Sequence, residues 1–287
     1  ATDLVLSRPQ VDGAPAVLAF RNDGSGGFGA PVVTPLDLTL VFQCVAGDFD
    51  RDGALDLVVL GDGMGTPSVL RLFHGDGAGG FAAREGVATL EALTGTDARG
   101  LAVFDVDADG YLDLLVNFHN FTEIADTRCQ VTADDLFCVA AHPPTPPSSL
   151  LLKGGPGGFT VAQSLAADAF TNVATALDLD LDGDTDVFVS REWGKNTYFR
   201  NDGGVLVPAD LGPPLARVNF GMGIAVGDFD GDGAPGLYIA DIGPNHLFES
   251  GPLGWTHRAV EAGITAVTGL SSTWDPTAED FDLDGQV

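Results

Sequence analysis

The sequence predicts an all-β chain, a β-propeller of four-stranded antiparallel blades, and three observations carry that reading. An aspartate-rich loop recurs five times, about fifty residues apart except for one longer interval. Each complete copy runs straight into a short apolar string of strand type. A glycine-rich hairpin then follows, and no stretch sustains the apolar period of an amphipathic helix. Four short strands per repeat cannot bury both faces of their sheet alone, so each repeat must stack on its neighbours, as propeller blades do.

The loops share one pattern. In the first, Asp48, Asp50 and Asp52 alternate, Gly53 follows and Asp56 closes the loop at its ninth position. The second has Asp105, Asp107, Asp109, Gly110 and Asp113. The third has Asp178, Asp180, Asp182, Gly183 and Asp186, with Asp184 between the last two. The fourth keeps Asp228, Asp230, Asp232 and Gly233 but places Gly236 at the ninth position. The fifth, Asp280, Asp282, Asp284 and Gly285, stops before its ninth position. The strand strings are 57–60, 114–116, 187–190 and 237–240, and the hairpins lie at 22–28, 75–81, 154–159, 201–203 and 250–255.

Residues 1–287 therefore read as a single propeller domain of five repeat lengths, cut within the motif at both ends. Either the chain is part of a longer propeller, or its two ends meet and complete one blade. It opens without a leader pattern and reads as a mature or excised segment. One repeat is longer by about 21 residues, an inserted loop at about 119–149 that holds Cys129, Cys138 and a proline-rich run at 142–147. Cys129 and Cys138 are close enough in sequence to bridge, which fits an oxidising compartment; Cys44 sits in a core-type string.

The loop chemistry points to calcium. That ion takes six to eight hard oxygens at about 2.3–2.6 Å, and aspartates at positions one, three and five wrap a single ion while the residues between them point away. Glycine at position six allows the sharp turn that aims the next carbonyl inward. Those carbonyls belong to Ala54, Tyr111, Asp184, Ala234 and Gln286. A ninth-position aspartate adds a last carboxylate, so the fourth loop, with Gly236, is expected to be the weakest of the complete ones. Four to five ions are expected. Magnesium wants stricter octahedral geometry, and zinc wants His or Cys, which the loops lack. An EF-hand needs Glu at position twelve, where these loops place Val59, Val116, Val189 and Ile239.

Composition excludes other classes. A net charge of −28 with only two lysines, Lys153 and Lys195, repels nucleic acid and anionic lipid and attracts cations. The 18 phenylalanines spread along the chain argue for a packed core rather than an acidic disordered tail. No apolar run reaches the roughly 20 residues of a membrane helix, so neither nucleic acid nor membrane insertion is expected.

On these motifs the chain resembles the FG-GAP and VCBS repeats of integrin-α-like β-propellers; Phe28, Gly29, Ala30 and Pro31 even spell the family's name. The C-terminal half is similar to cartilage acidic protein and ASPIC/UnbV-type propellers through 220–228, 237–241, 245–248 and 272–274. The resemblance implies a ring usually of seven blades, bound calcium, a secreted or cell-surface setting and a role in adhesion or recognition. It also implies calcium loops on one face and the connectors between second and third strands on the other. The insertion is one such connector, so a protein or glycan partner is expected on the face opposite the calcium loops.

Three functions compete: a non-catalytic adhesion module, which is the favoured reading; a lectin-like propeller; and a propeller lyase or dehydratase. No Gly-x-Ser-x-Gly, His-Glu-x-x-His or Walker loop is present. His119 and His142 with Glu123 form a conceivable catalytic group, against the simpler reading of solvent-exposed polar residues. Trp193 and Tyr198 could stack on a sugar, against the simpler reading of blade packing. Phe118, Phe121 and Phe137 would supply contact area to a partner, and Asn120 opens a glycosylation sequon.

Overall fold

A strand that is apolar at nearly every position is buried on both faces, and the string after each aspartate loop is of that kind. The computed structural model places these strings at the heart of antiparallel sheets. It describes residues 4–8, 15–62, 68–84, 98–119, 127–131, 136–140, 149–165, 170–210, 212–216, 218–252, 254–264, 273–278 and 280.

The chain divides into two compact units, Ala1–Val116 with Leu150–Ser164, and Asn117–Ser149 with Leu165–Val287. In the first, β1 (Leu4–Arg8), β2 (Ala16–Phe20) and β3 (Val32–Pro35) form a three-stranded sheet. Next come β4 (Val41–Gly47), β5 (Asp56–Gly61), β6 (Val69–Gly75) and β7 (Phe81–Ala83), paired in sequence order. A third sheet takes β8 (Ala98–Phe104) and β9 (Asp113–Phe118), then β12 (Ser149–Lys153) and β13 (Thr160–Leu165). Among the described residues the intervening β10 (Thr127–Val131) and β11 (Leu136–Ala140) pair with each other as a two-stranded sheet.

The second unit holds β14 (Phe170–Leu177), β15 (Asp186–Lys195), β16 (Thr197–Asn201) and β17 (Leu206–Ala209), followed by β18 (Val218–Gly227), β19 (Gly236–Asp241), β20 (His246–Glu249) and β21 (Thr256–His257). These are two four-stranded sets. They merge into one eight-stranded sheet because β15 outruns its partners and its far end pairs with the start of β18, Lys195 facing Val218. Among the described residues there is no α-helix, and no helix long and apolar enough to cross a membrane.

Stacked sheets share apolar cores. In the first unit Val17, Leu36 and Leu38 pack on Leu57, Val59 and Phe73. In the second, Leu179, Phe188, Tyr198 and Leu215 pack on Leu237, Ile239 and Phe248. Each core joins consecutive repeats, the arrangement expected of propeller blades, and each aspartate loop joins the first strand of a set to its second. Antiparallel order then fixes where the connectors lie. The aspartate loop sits at one end of the second strand and the connector to the third strand at the other, about 20 Å away for a six-residue strand.

The insertion departs from the sequence expectation in three respects. Phe118 is buried as the last residue of β9, so it offers no contact area. His119, read from sequence as an exposed polar residue, is fully buried. The irregular stretch contains a regular hairpin, β10–β11, with Cys129 directly opposite Cys138. Phe121, Glu123 and His142 lie outside the described residues, as do the side chains of Phe137, Cys129 and Cys138.

Opposed antiparallel residues have Cα atoms about 4.5–5.5 Å apart, inside the roughly 4.4–6.8 Å span of disulfides. Peptide mapping without reductant is therefore expected to recover a Cys129–Cys138 cross-link in protein matured in an oxidising compartment. Free alkylation of both thiols in that native protein would exclude the bridge.

Candidate metal centres

Each aspartate loop is first a network of backbone hydrogen bonds. The position-one carboxylate accepts from the amides at positions five and six: Asp52 and Gly53 donate to Asp48, Asp109 and Gly110 to Asp105, Asp182 and Gly183 to Asp178, Asp232 and Gly233 to Asp228. The position-five carboxylate accepts from the amide two residues on, as Ala54 donates to Asp52 and Tyr111 to Asp109. The glycine at position six takes φ of 87–100° in the four described loops. Position four is left-handed as well, at Arg51, Ala108, Leu181 and Gly231. Sequence reasoning missed that second requirement, although Gly231 was its signal.

The ninth aspartate has a separate task. Asp56, Asp113 and Asp186 are almost wholly buried, and each carboxylate holds two amides. Asp56 accepts from Phe49 at 3.1 Å and Gly75 at 2.9 Å. Asp113 accepts from Val106 and Gly154, both at 2.8 Å, and Asp186 from Leu179 at 3.0 Å and Asn201 at 2.8 Å. One carboxylate thus pins the loop's second residue and the end of the third strand to the start of the second strand.

Carboxylates converge on the open side of each loop. Asp48, Asp50 and Asp52 bring one oxygen each within 4.8 Å of one another, as do Asp105, Asp107 and Asp113, then Asp178, Asp180 and Asp186, and Asp228, Asp230 and Asp232. Asp109, Asp182 and Asp184 lie outside these converging sets. Asp280 is described, while Asp282, Asp284 and Gln286 of the fifth loop lie outside the described residues.

The loops differ in what faces them. His74, at the end of β6, lies 3.1 Å from Asp50 and 3.3 Å from Asp56, and Arg84 reaches Asp50 at 3.5 Å. Lys153, at the end of β12, donates to Asp107 at 2.8 Å and holds that carboxyl below its usual range. Burial, then the neighbouring acids, pushes the carboxyls of Asp113, Asp180 and Asp184 up. Tyr198 donates to Asp180 and Asp186 and is buried in the core of the second unit, so it packs the blade and is not available to a sugar. The side chain of Trp193 lies outside the described residues. The fourth loop meets the carboxylate of Glu249, which burial and then Asp230, Asp232 and Asp228 push up to about 7. Crowded hard oxygens on a glycine turn form a donor set suited to a divalent metal ion.

Comparison with known proteins agrees with the fold. The profile of the FG-GAP-like repeat matches at residues 1–59, 48–116 and 178–239, together more than half of the chain. No curated protein matched the sequence. Among solved structures, BBS1N in complex with ARL6DN is 11% identical with a TM-score of 0.45, aligned over 88% of this chain and 63% of that one. The biofilm matrix protein Bap1 of V. cholerae is 15% identical with a TM-score of 0.41, over 90% and 38%. A mutant of AofleA from Arthrobotrys oligospora is 13% identical with a TM-score of 0.49, over 96% and 74%. The chain thus spans less than two thirds of the first two.

Two outcomes follow from the loop chemistry. Asp186→Ala removes three charge-assisted hydrogen bonds, from Leu179, Asn201 and Tyr198, and strands two amides, a loss of about 3 kcal/mol or more in urea unfolding with EDTA present, whereas Asp182→Ala costs about 1 kcal/mol. The second outcome concerns pH. A carboxyl whose folded pKa is raised stabilises the fold fully below its unfolded value and loses that contribution as pH rises through the folded value. For Glu249 that window runs from 4.5 to about 7. In EDTA the melting midpoint is expected to fall across it.

Proposed function

The chain belongs to the FG-GAP-like repeat family, and from that membership we propose that it is a calcium-stabilised, non-catalytic recognition module of the extracellular space. The observation that carries the reading is the convergence of carboxylates in four consecutive loops on the same turn. At neutral pH such clusters repel themselves, and a divalent cation relieves them. Calcium suits the site best, being large, tolerant of irregular coordination and content with carboxylate and carbonyl oxygen. The metal in this reading is structural. Each ion fastens a turn from which the most buried strand of its set begins, so the ions keep the blades stacked.

The partner is assigned to the other end of the strands. Connectors there are short except between β9 and β12, which carries the β10–β11 hairpin and the proline-rich run. A long connector inside a compact repeat is usually functional. With Phe118 committed to the core, the recognition surface falls to the hairpin and its flanks at 120–148, and the partner is a protein or a glycan. A secreted or cell-surface location accords with the family, with the acidic surface and with the opposed positions of Cys129 and Cys138 in the β10–β11 ladder.

Thermal melts with 2 mM calcium and with EDTA test the metal. Extracellular modules bind at about 10⁻⁴–10⁻³ M, so each site adds on the order of 1 kcal/mol and the midpoint rises by several degrees. An unchanged midpoint with no bound metal by elemental analysis would sink the calcium reading. Replacing 120–148 with a short Gly-Ser turn tests the surface: the calcium-dependent melt is expected to persist while binding to a protein or glycan array ligand is lost. Retained binding, together with loss in a loop variant that melts normally, would move the site to the metal end.

A further inference from the structure

The fourth aspartate loop lacks its ninth carboxylate, since Gly236 occupies that place, yet the space is not empty. A Cβ built on Gly236 would lie 2.5 Å from Oε2 of Glu249 and 2.8 Å from the ring of Phe229. Glu249 is the last residue of β20 and stands directly opposite Gly236 in the β19–β20 ladder. Opposed residues in an antiparallel pair project from the same face, so the longer glutamate side chain reaches back over the glycine into the loop.

The other three repeats show what normally stands there. Val187 faces Phe199, Leu57 faces Phe73 and Leu114 faces Leu152. One residue further in the same register sets Arg200 against Asp186, His74 against Asp56 and Lys153 against Asp113. Where the second strand begins with Asp, the facing strand supplies a side chain able to carry positive charge. Where it begins with Gly, the facing strand supplies a carboxylate. The acid has changed strands.

Glu249 is also unusual in its surroundings. It is 6% exposed, and its carboxylate accepts no hydrogen bond among the described residues. The charges that act on it most strongly are those of Asp230, Asp232 and Asp228, with Arg258 offsetting them weakly. Its carboxylate lies outside the set of Asp228, Asp230 and Asp232 oxygens that sit within 4.8 Å of one another, and an acid this deep beside three others, with no donor bonded to it among the described residues, is a costly arrangement unless a cation draws them together.

We propose that Glu249 is the fourth carboxylate of the Asp228–Asp230–Asp232 site, a metal ligand delivered from the facing strand in place of a ninth-position aspartate. The proposal rests on the calcium reading. Under it the fourth loop is not short of charge, and its ligand set differs from the others in using a longer side chain that leaves the backbone amides alone. The amide of Ser250, whose counterparts bind the ninth aspartate, bonds to the carbonyl of Pro235 instead, and the Ser250 hydroxyl does the same at 2.7 Å.

The experiment titrates calcium into the metal-free full chain by calorimetry, with melts in parallel, for wild type, Glu249→Gln, Asp230→Ala and the double variant. Glu249→Gln is expected to weaken one site about tenfold or more, to leave the metal-free midpoint equal or higher, and to add nothing to Asp230→Ala. If Asp230→Ala removes a site while Glu249→Gln leaves the titration intact, Glu249 is no ligand although the calcium reading stands. A lowered metal-free midpoint with an unchanged titration gives Glu249 a structural role only and overturns the proposal in the same way. If wild type takes up no calcium, both readings fall together.

Discussion

The buried aspartate at the head of the second strand is the interaction on which the blade architecture depends. Asp56, Asp113 and Asp186 each hold one amide of their own loop and one at the end of the third strand. Hydrogen bonds to a charged acceptor contribute about 1.5–3 kcal/mol each, and their loss strands buried donors as well. The same residue therefore sets the entry angle of the loop, the start of the central strand and the register of the third strand. It cannot be placed in water, because the sheet covers it, and it cannot be left without donors, because it is charged.

That constraint explains why the acidic end and the packed interior cannot be separated. Asp113 and Asp186 belong to the converging acidic sets and also to the backbone network, so any cation bound there leans on residues that the strands already hold. The loop turns add strain of their own. Arg51, Ala108 and Leu181 sit at φ of 56–64°, a conformation that costs a non-glycine residue roughly 1–2 kcal/mol. Closely spaced hydrogen bonds to the position-one carboxylate keep the turn closed against it. In the first unit Arg51 also donates to the carbonyl of Asp109 and covers the ring of Tyr111, so neighbouring loops brace each other.

Much of this was legible in the sequence because it is local. Alternating aspartates, a glycine and an apolar string lie within a dozen residues, and their recurrence announced both the blade and the acidic turn. The glycine hairpins were legible for the same reason. What escaped the sequence is what depends on a facing strand. Nothing local marks Asp56 as a double acceptor, or shows that Tyr198 would spend its hydroxyl on Asp180 and Asp186. Phe118 and His119 looked like the start of a loop because the aromatic and polar residues after them do, yet β9 runs on through Phe118 and His119 is buried just beyond its end.

Glu249 is the sharpest instance of that limit, and it had a signal. The residue preceding each of the four hairpins that follow a complete loop is His74, Lys153, Arg200 or Glu249, and only the last is acidic. Read alone, that column is unremarkable surface variation. Read against the column of ninth positions, Asp, Asp, Asp and Gly, it shows a charge leaving one strand and appearing on the next. A β-ladder makes such an exchange cheap, because opposed side chains on one face occupy overlapping space whichever backbone carries them. The number of carboxylates around the loop is then conserved while their covalent origin is not. In this repeat the acidity of the loop is set by the pair of facing strands, and a motif written along one strand alone undercounts its carboxylates.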